Sequence, residues 1–88
     1  MRIGFIGTGA MAQAIARGAV ASGVDPATLV FSNRTPDKAC DLADELGAVA
    51  ASSNVSLARQ VDVVVLAVKP KDQRTVIKEI AHTVVGRP

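Results

Sequence analysis

Aromatic residues are nearly absent from this 88-residue sequence, which has two phenylalanines, Phe5 and Phe31, and neither tryptophan nor tyrosine. The chain therefore lacks a platform on which the bases of a single-stranded nucleic acid could stack. Ten basic against eight acidic residues leave a formal charge of only +2, too small a surplus to indicate a DNA or RNA partner. We therefore predict no nucleic-acid partner and a core of aliphatic side chains.

Cysteine and histidine occur once each, as Cys40 and His82. A lone cysteine can form neither an internal disulfide nor a multi-cysteine metal site, and His82 has no second ligand of its kind. We therefore predict no metal site, no Ser-His-Asp or Cys-His catalysis, and a cytoplasmic protein whose Cys40 is a small buried residue. No residue is assigned a catalytic role.

Long hydrophobic runs are also missing. The uncharged stretch 3–16 has 14 residues, fewer than the roughly 20 that span a bilayer. It also contains Gly4, Gly7 and Gly9, which suit a tight turn better than a secretory signal. We predict no membrane association, and with 49% hydrophobic and 20% charged residues the chain should form one small globular core.

Short apolar runs alternate with amphipathic ones, a pattern typical of βα units and a parallel sheet. We predict strands over residues 2–6, 29–32, 48–51 and 61–68. We predict helices over residues 10–22, 36–46, 55–59 and 72–83. The fourth run has seven apolar residues out of eight, five of them valine, as expected of a central strand covered on both faces. Because a fifth strand would ordinarily follow, we expect an α/β domain truncated before it.

Helical spacing predicts the buried face of each long helix. In the first helix the predicted inward positions are Met11, Ile15, Gly18 and Ala19. In the second they are Ala39, Leu42, Ala43 and Leu46. In the last they are Val76, Ile77, Ile80 and Val84.

The segment from Gly7 to Ala12 fits the pattern G-x-G-x-x-G/A between a predicted strand and a predicted helix. Gly7 would allow the sharp turn, Gly9 would let the backbone approach a pyrophosphate, and Ala12 would keep helix and strand close. Free N–H groups of the first helical turn would then face the phosphates. The pattern predicts a Rossmann-like doubly wound sheet of order 3-2-1-4 that binds a dinucleotide; the alternative is a tight βα turn without a ligand.

The end of the second strand indicates which dinucleotide is bound. NAD-binding domains place an acidic residue about 20 residues after the glycines, where it contacts the ribose. Here no acid lies between Asp25 and Asp37, and the strand end carries Ser32, Asn33, Arg34 and Thr35. An arginine can fork onto a 2′-phosphate that a carboxylate would repel, so we predict NADP(H). Otherwise Arg34 is a solvated loop cation and Thr35 only a helix cap.

Other candidate contacts follow the third and fourth strands. Lys69 and Pro70 would form a wall of the crevice at the topological switch point, whereas we expect Lys71 and Arg74 to decorate the exposed start of the last helix. Asn54 could meet the adenosine or could cap a short helix.

Three segments are distinctive in combination: Gly4-Phe5-Ile6-Gly7-Thr8-Gly9-Ala10-Met11-Ala12, Ser32-Asn33-Arg34-Thr35 and Leu66-Ala67-Val68-Lys69-Pro70. Together they resemble the N-terminal domain of the pyrroline-5-carboxylate reductase family. The resemblance covers essentially all 88 residues. It implies an NADPH-dependent enzyme that reduces 1-pyrroline-5-carboxylate, a cyclic imine acid, to L-proline.

The resemblance also implies roles for individual residues. The pyrophosphate turn would comprise Ile6, Gly7, Thr8, Gly9, Ala10 and Met11. Asn33 and Arg34 would contact the 2′-phosphate, and Asn54 the adenosine side. The wall after the fourth strand would comprise Ala67, Val68, Lys69 and Pro70.

Members of the family have a C-terminal helical domain that forms the dimer and much of the substrate pocket. We expect residues 1–88 to be the NADP(H)-binding domain without it, inactive alone and homo-oligomeric only with that domain. Two alternatives stay open. One is another NADP-dependent reductase, of the F420-linked or β-hydroxyacid dehydrogenase type, and the other is a stand-alone NADP(H)-sensing module.

Overall fold

The computed structural model describes residues 1–84, with side chains through residue 81. Four strands alternate with four helices. The strands are β1 (Ile3–Ile6), β2 (Leu29–Ser32), β3 (Val49–Ala50) and β4 (Val63–Leu66). The helices are α1 (Ala10–Ala21), α2 (Pro36–Leu46), α3 (Asn54–Gln60) and α4 (Pro70–Val84), and a short 3₁₀ turn, Pro26–Thr28, precedes β2. All eight predicted elements are present, with β1, β3 and β4 shorter than predicted.

The four strands form one parallel sheet of order β3-β2-β1-β4. This order confirms the predicted arrangement, because the chain runs outward from β1 to β3 and then crosses back to place β4 on the other side of β1. The carboxyl ends of all four strands therefore lie along one edge of the sheet.

Two hydrophobic clusters cover the two faces of the sheet. On one face α1 and α2 pack over Phe5 and Phe31, the only aromatic residues of the chain, whose rings stack with centroids 5.3 Å apart. Parallel pairing of β1 with β2 places these two residues side by side. On the other face α3 and α4 pack over Ile6 and Val30.

The ends of α2 follow local sequence signals. Pro36 occupies the first helical position and Asp37 lies in the first turn, where a carboxylate interacts favourably with the helix dipole. Gly47 ends the helix in the left-handed conformation, with φ of 75°, which glycine adopts readily.

Among the described residues, strand β4 lies at an edge of the sheet, whereas its valines predict a central, fully covered strand. Within residues 1–84 it pairs only with β1 and forms the edge of the sheet. Its first residue, Val63, is 41% exposed and the next three are half-buried. A run of apolar residues measures the tendency to be buried but does not reveal how many strands lie alongside.

The predicted inward face of α1 is wrong. Met11 and Ile15 are 69% and 47% exposed, whereas Ala12 and Ala16 are fully buried. The short glycine turn holds the helix close to the sheet, where only small side chains fit. Steric fit therefore decides the orientation of α1, and the larger apolar residues face outward.

Two further burial predictions are wrong. Ile77 is 50% exposed, since α4 packs through Val76 and Ile80 instead. Cys40 is exposed, because its neighbour Ala39 takes the buried position on α2. Leu46 packs at the edge of the core as predicted, whereas the side chains of His82 and Val84 lie outside those described.

The orientation of α1 predicts opposite outcomes for two neighbouring substitutions. Ala16→Leu should lower the free energy of unfolding by about 1–3 kcal/mol, because the larger side chain overpacks a closed site. Ile15→Ala should change it by no more than about 0.5 kcal/mol, as is usual for exposed positions. Denaturant unfolding monitored by circular dichroism measures both values. The reverse ranking would show that the sequence-predicted face is the buried one.

Candidate functional site

A cleft of about 570 Å³ lies at the edge of the sheet where the strands end. Loops after β1, β2 and β4 and the start of α4 form its walls. The lining residues are Ile6, Gly7, Thr8, Gly9, Asn33, Arg34, Thr35, Lys38, Asn54, Ala67, Val68, Lys69, Lys71, Asp72, Val76 and Glu79. A doubly wound sheet places its ligand in this position, outside the carboxyl ends of the strands.

Most of the residues predicted from the sequence meet in this cleft. Those that line it are Ile6, Gly7, Thr8, Gly9, Asn33, Arg34, Thr35, Asn54, Ala67, Val68 and Lys69. Four predicted residues are not among its lining, namely Ala10, Met11, Ser32 and Pro70. Ala10 and Met11 begin α1, and their predicted role requires backbone amides rather than side chains.

Gly7 forms the sharp turn after β1 and is required on two grounds. Its φ is +101°, a conformation that residues with a Cβ rarely adopt. A Cβ at this position would also lie 2.6 Å from the carbonyl oxygen of Ala67. The Gly7 amide donates to the carbonyl of Ser32 at 2.8 Å, which ties the turn to the end of β2 as well.

Gly9 has a different environment from Gly7. It is the N-cap of α1, its φ of −71° is open to any residue, and a Cβ there would meet no atom within 4 Å. The first N–H groups of α1 have no intrahelical partner, and no side chain caps them. The turn therefore presents unpaired amides and an open approach, a combination suited to an anion.

A chain of side chains supports the turn from outside the cleft. The Gln13 side-chain amide donates to the carbonyl of Thr8 at 2.8 Å, and Arg17 donates to the Gln13 oxygen at 3.1 Å. Arg17 also forms a two-bond pair with Glu45 of α2, at 2.9 and 3.0 Å. These contacts keep the Thr8 carbonyl directed towards Gln13.

The loop after β2 carries Arg34, whose guanidinium contacts the Asp72 carboxylate across the cleft at 3.3 Å. Asn33 donates to the carbonyl of Thr35 at 3.2 Å. Thr35 is at the N-cap position of α2, as the sequence allows, but its hydroxyl makes no capping bond, which is against the alternative that this side chain serves only as a helix cap. Thr35 lines the cleft.

Asn54 is held from two sides and does not cap α3. Its side-chain oxygen accepts a bond from the Ser32 hydroxyl at 2.6 Å, and its amide donates to Glu79 at 3.2 Å. The capping bond of α3 comes instead from Ser53, whose hydroxyl accepts from the Ser56 amide. Ser32 is buried and does not line the cleft; its hydroxyl instead holds the side chain of Asn54, which does.

The cleft carries more positive than negative charge. Its lining includes four basic residues, Arg34, Lys38, Lys69 and Lys71, and two acidic ones, Asp72 and Glu79. Only Arg34 among these cations forms an ion pair with a described residue. The surplus favours an anionic ligand with more than one charge.

Sequence reasoning missed several lining residues. Lys38 and Glu79 lie on helices, one turn or more from the strand ends that the motifs mark, and Lys71 was expected only to decorate the surface. Helical spacing offers a signal for Lys38. Residues three apart are neighbours on one face of a helix, so Lys38 lies beside Thr35 at the start of α2. No local signal brings Asp72 to Arg34, 38 residues away.

In the described part of the chain, no group of three or more histidine, cysteine, aspartate or glutamate side chains could hold a metal ion. No helix over the same residues has the length and apolar character needed to cross a membrane.

The parallel sheet, the glycine turn after β1 and the basic loop after β2 define a Rossmann-like nucleotide-binding domain. The chain belongs to the family described as "NADP oxidoreductase coenzyme F420-dependent", which it matches over residues 2–86.

Within curated proteins the chain is similar to pyrroline-5-carboxylate reductases. It is 40% identical to the Escherichia coli enzyme over 83 residues, which covers 93% of this chain and 31% of that protein. Its structure superposes on a pyrroline-5-carboxylate reductase from Coxiella burnetii with a TM-score of 0.90 and 36% identity, covering 97% of this chain and 32% of the other. The resemblance to this enzyme's N-terminal domain is thereby confirmed.

A further solved structure contains a cofactor. Pyrroline carboxylate reductase from Plasmodium falciparum, solved with NADP bound, has a TM-score of 0.82 and 26% identity, and the match covers 99% of this chain and 31% of that one. The chain thus spans about a third of the length of the relatives it matches.

The two glycines of the turn should respond differently to the same substitution. Gly7→Ala should lower the free energy of unfolding by about 2 kcal/mol or more, because of its positive φ and its contact with Ala67. Gly9→Ala should leave stability within about 0.5 kcal/mol of wild type, since the added methyl meets open space. Thermal and denaturant unfolding check both values, and equal losses at the two positions would contradict the geometry.

Proposed function

We propose that this chain binds NADPH and supplies the cofactor half of a pyrroline-5-carboxylate reductase, which reduces the cyclic imine of 1-pyrroline-5-carboxylate to L-proline. The observation that carries the proposal is the pairing of an open glycine turn with Arg34 in one cleft. The relatives named for this reaction match along nearly the whole chain, which supports the same chemistry.

The cleft fits NADPH on features of the protein itself. Gly9 leaves room for a pyrophosphate, and the amides at the start of α1 would hold it. Arg34, with Lys38 on the same side of the cleft, would hold the 2′-phosphate, and Asn54 would contact the adenosine side. The segment from Ala67 to Lys69 would border the nicotinamide half, as expected at the switch point. When bound, NADPH supplies the hydride that reduces the C=N bond.

Selectivity for NADPH over NADH rests on the loop after β2. No carboxylate stands at the end of β2 to bond the ribose 2′-hydroxyl, and Arg34 offers a planar set of donors for a phosphate. The charge surplus of the cleft acts in the same direction, because the 2′-phosphate adds about −1.5 to −2 charges.

Reduction of the imine also requires a pocket that holds the substrate. Hydride transfer needs the imine held against the nicotinamide, and the two acids of the cleft, Asp72 and Glu79, are each engaged with another side chain. We propose that the remaining length of the enzymes related to this chain supplies the imine pocket, the proton donor and the contacts between subunits. We propose a cytoplasmic setting, the compartment in which an exposed lone cysteine such as Cys40 stays reduced.

Arg34 gives the sharpest test of the cofactor assignment. Arg34→Ala should weaken NADPH binding by about tenfold or more, because a charge-assisted bond to the phosphate is lost. The affinity of Arg34→Ala for NADH should stay within about twofold of that of wild type. The affinity of Arg34→Lys for NADPH should lie between those of wild type and Arg34→Ala. Calorimetric titration with both nucleotides gives the values.

Arg74→Ala is the matched control for that experiment. Arg74 is exposed on α4 and does not line the cleft, so its loss changes net charge equally without touching the site. Equal effects of the two substitutions, or equal losses for NADPH and NADH in Arg34→Ala, would remove the basis for a 2′-phosphate site at Arg34.

Gly9→Ala tests the pyrophosphate position independently of the 2′-phosphate. Its methyl should occupy the space through which the pyrophosphate approaches, so affinities for NADPH and NADH should fall together by at least about tenfold. Because the variant should fold normally, the loss can be assigned to the site. Unchanged binding of both nucleotides would show that the ligand does not lie against this turn.

A further inference from the structure

Arg34 and Asp72 form an ion pair that connects the two walls of the cleft. Arg34 follows β2 and Asp72 lies in the first turn of α4, after β4, while β1 runs between β2 and β4 in the sheet. Both side chains line the cleft. A carboxylate therefore occupies the position beside Arg34 although the sequence places none at the end of β2.

The two partners differ in how firmly the protein holds them. The Arg34 side chain is 85% exposed, and Asp72 is its one hydrogen-bonded partner among the described residues. The Asp72 side chain is 31% exposed, and its backbone amide donates to the carbonyl of Lys69 at 2.9 Å. Its carboxylate also lies at the positive end of the α4 dipole. Asp72 is thus the fixed partner, and Arg34 is the one that can move.

We propose that Asp72 competes with the 2′-phosphate of NADPH for Arg34 and thereby limits how strongly the cleft prefers NADPH to NADH. The inference rests on the proposed function. A 2′-phosphate carries about −1.5 to −2 charges at neutral pH, so it must draw Arg34 away from Asp72 and settle near a like charge. NADH lacks the 2′-phosphate that would compete for Arg34 at this position, so the ion pair can persist when NADH binds.

Removing the Asp72 charge should therefore raise NADPH affinity and leave NADH affinity unchanged. Asp72→Asn keeps the size of the side chain and a residue type that helix N-termini accept. An exposed ion pair contributes a modest free energy, so the expected gain for NADPH is about two- to fivefold. The gain should shrink as salt is added, since exposed charges are screened.

Asp44→Asn is the matched control. Asp44 is exposed on α2 and does not line the cleft, so the change in net charge is the same while the site is untouched. Calorimetry on wild type and both variants should use four probes: NADPH, NADH, adenosine 2′-monophosphate and adenosine 5′-monophosphate. We expect tighter binding only for Asp72→Asn and only with the two probes that carry a 2′-phosphate.

Three results would overturn the inference: weaker or unchanged NADPH binding in Asp72→Asn, an equal gain for NADH, or an equal gain in Asp44→Asn. If Asp72→Asn does not fold by circular dichroism, Asp72→Ser carries the same expectations. Failure of the proposed function is distinguishable, because wild type would then bind neither dinucleotide or would bind both equally. Wild type that prefers NADPH while the Asp72 variants gain nothing would refute the inference alone.

Discussion

The close approach of the turn after β1 to the end of β4 is the constraint on which the rest of the site depends. The carbonyl of Ala67 leaves no room for a Cβ at Gly7, and the Gly7 amide is bonded to Ser32 at the end of β2. One residue thereby fixes the relative positions of three strand ends. Because α1 begins at Ala10, three residues after Gly7, the helix must lie close to the sheet, where Ala12 and Ala16 fit. The same geometry places the start of α1 directly after Gly9, which lines the cleft.

Polar contacts connect the elements that form the walls of the cleft. Ser32, Asn54 and Glu79 form one connected series that links β2, α3 and α4, and Gln13, Arg17 and Glu45 form another that links α1 to α2. The first series fixes the Asn54 side chain, which lines the cleft, and the second holds the Thr8 carbonyl of the turn towards Gln13, outside the cleft. Arg34, by contrast, is held by one exposed ion pair and remains free to exchange partners.

Local signals predicted the fold well. Glycine, proline and the alternation of apolar runs marked all eight elements, and the strand order followed from the βα pattern and the glycine motif. The site was predictable where the chain brings residues to a strand end, as at Gly7, Arg34 and Lys69. The predictions of burial failed where the neighbouring elements of the fold decide which face of a strand or helix is covered. The exposed edge of β4 and the small-residue face of α1 depend on what lies alongside them, which periodicity does not encode.

Asp72 illustrates the same limit within the site. The absence of an acid at the end of β2 supports NADPH over NADH, yet the fold returns a carboxylate to Arg34 from a helix two strands further along the chain. The net preference is therefore a difference between an attractive arginine and a nearby acid, and it has to be measured. Calorimetric titration of the wild-type chain with NADPH and NADH under matched salt does this most directly. The account predicts that NADPH binds more tightly; equal affinities, or tighter binding of NADH, would contradict it.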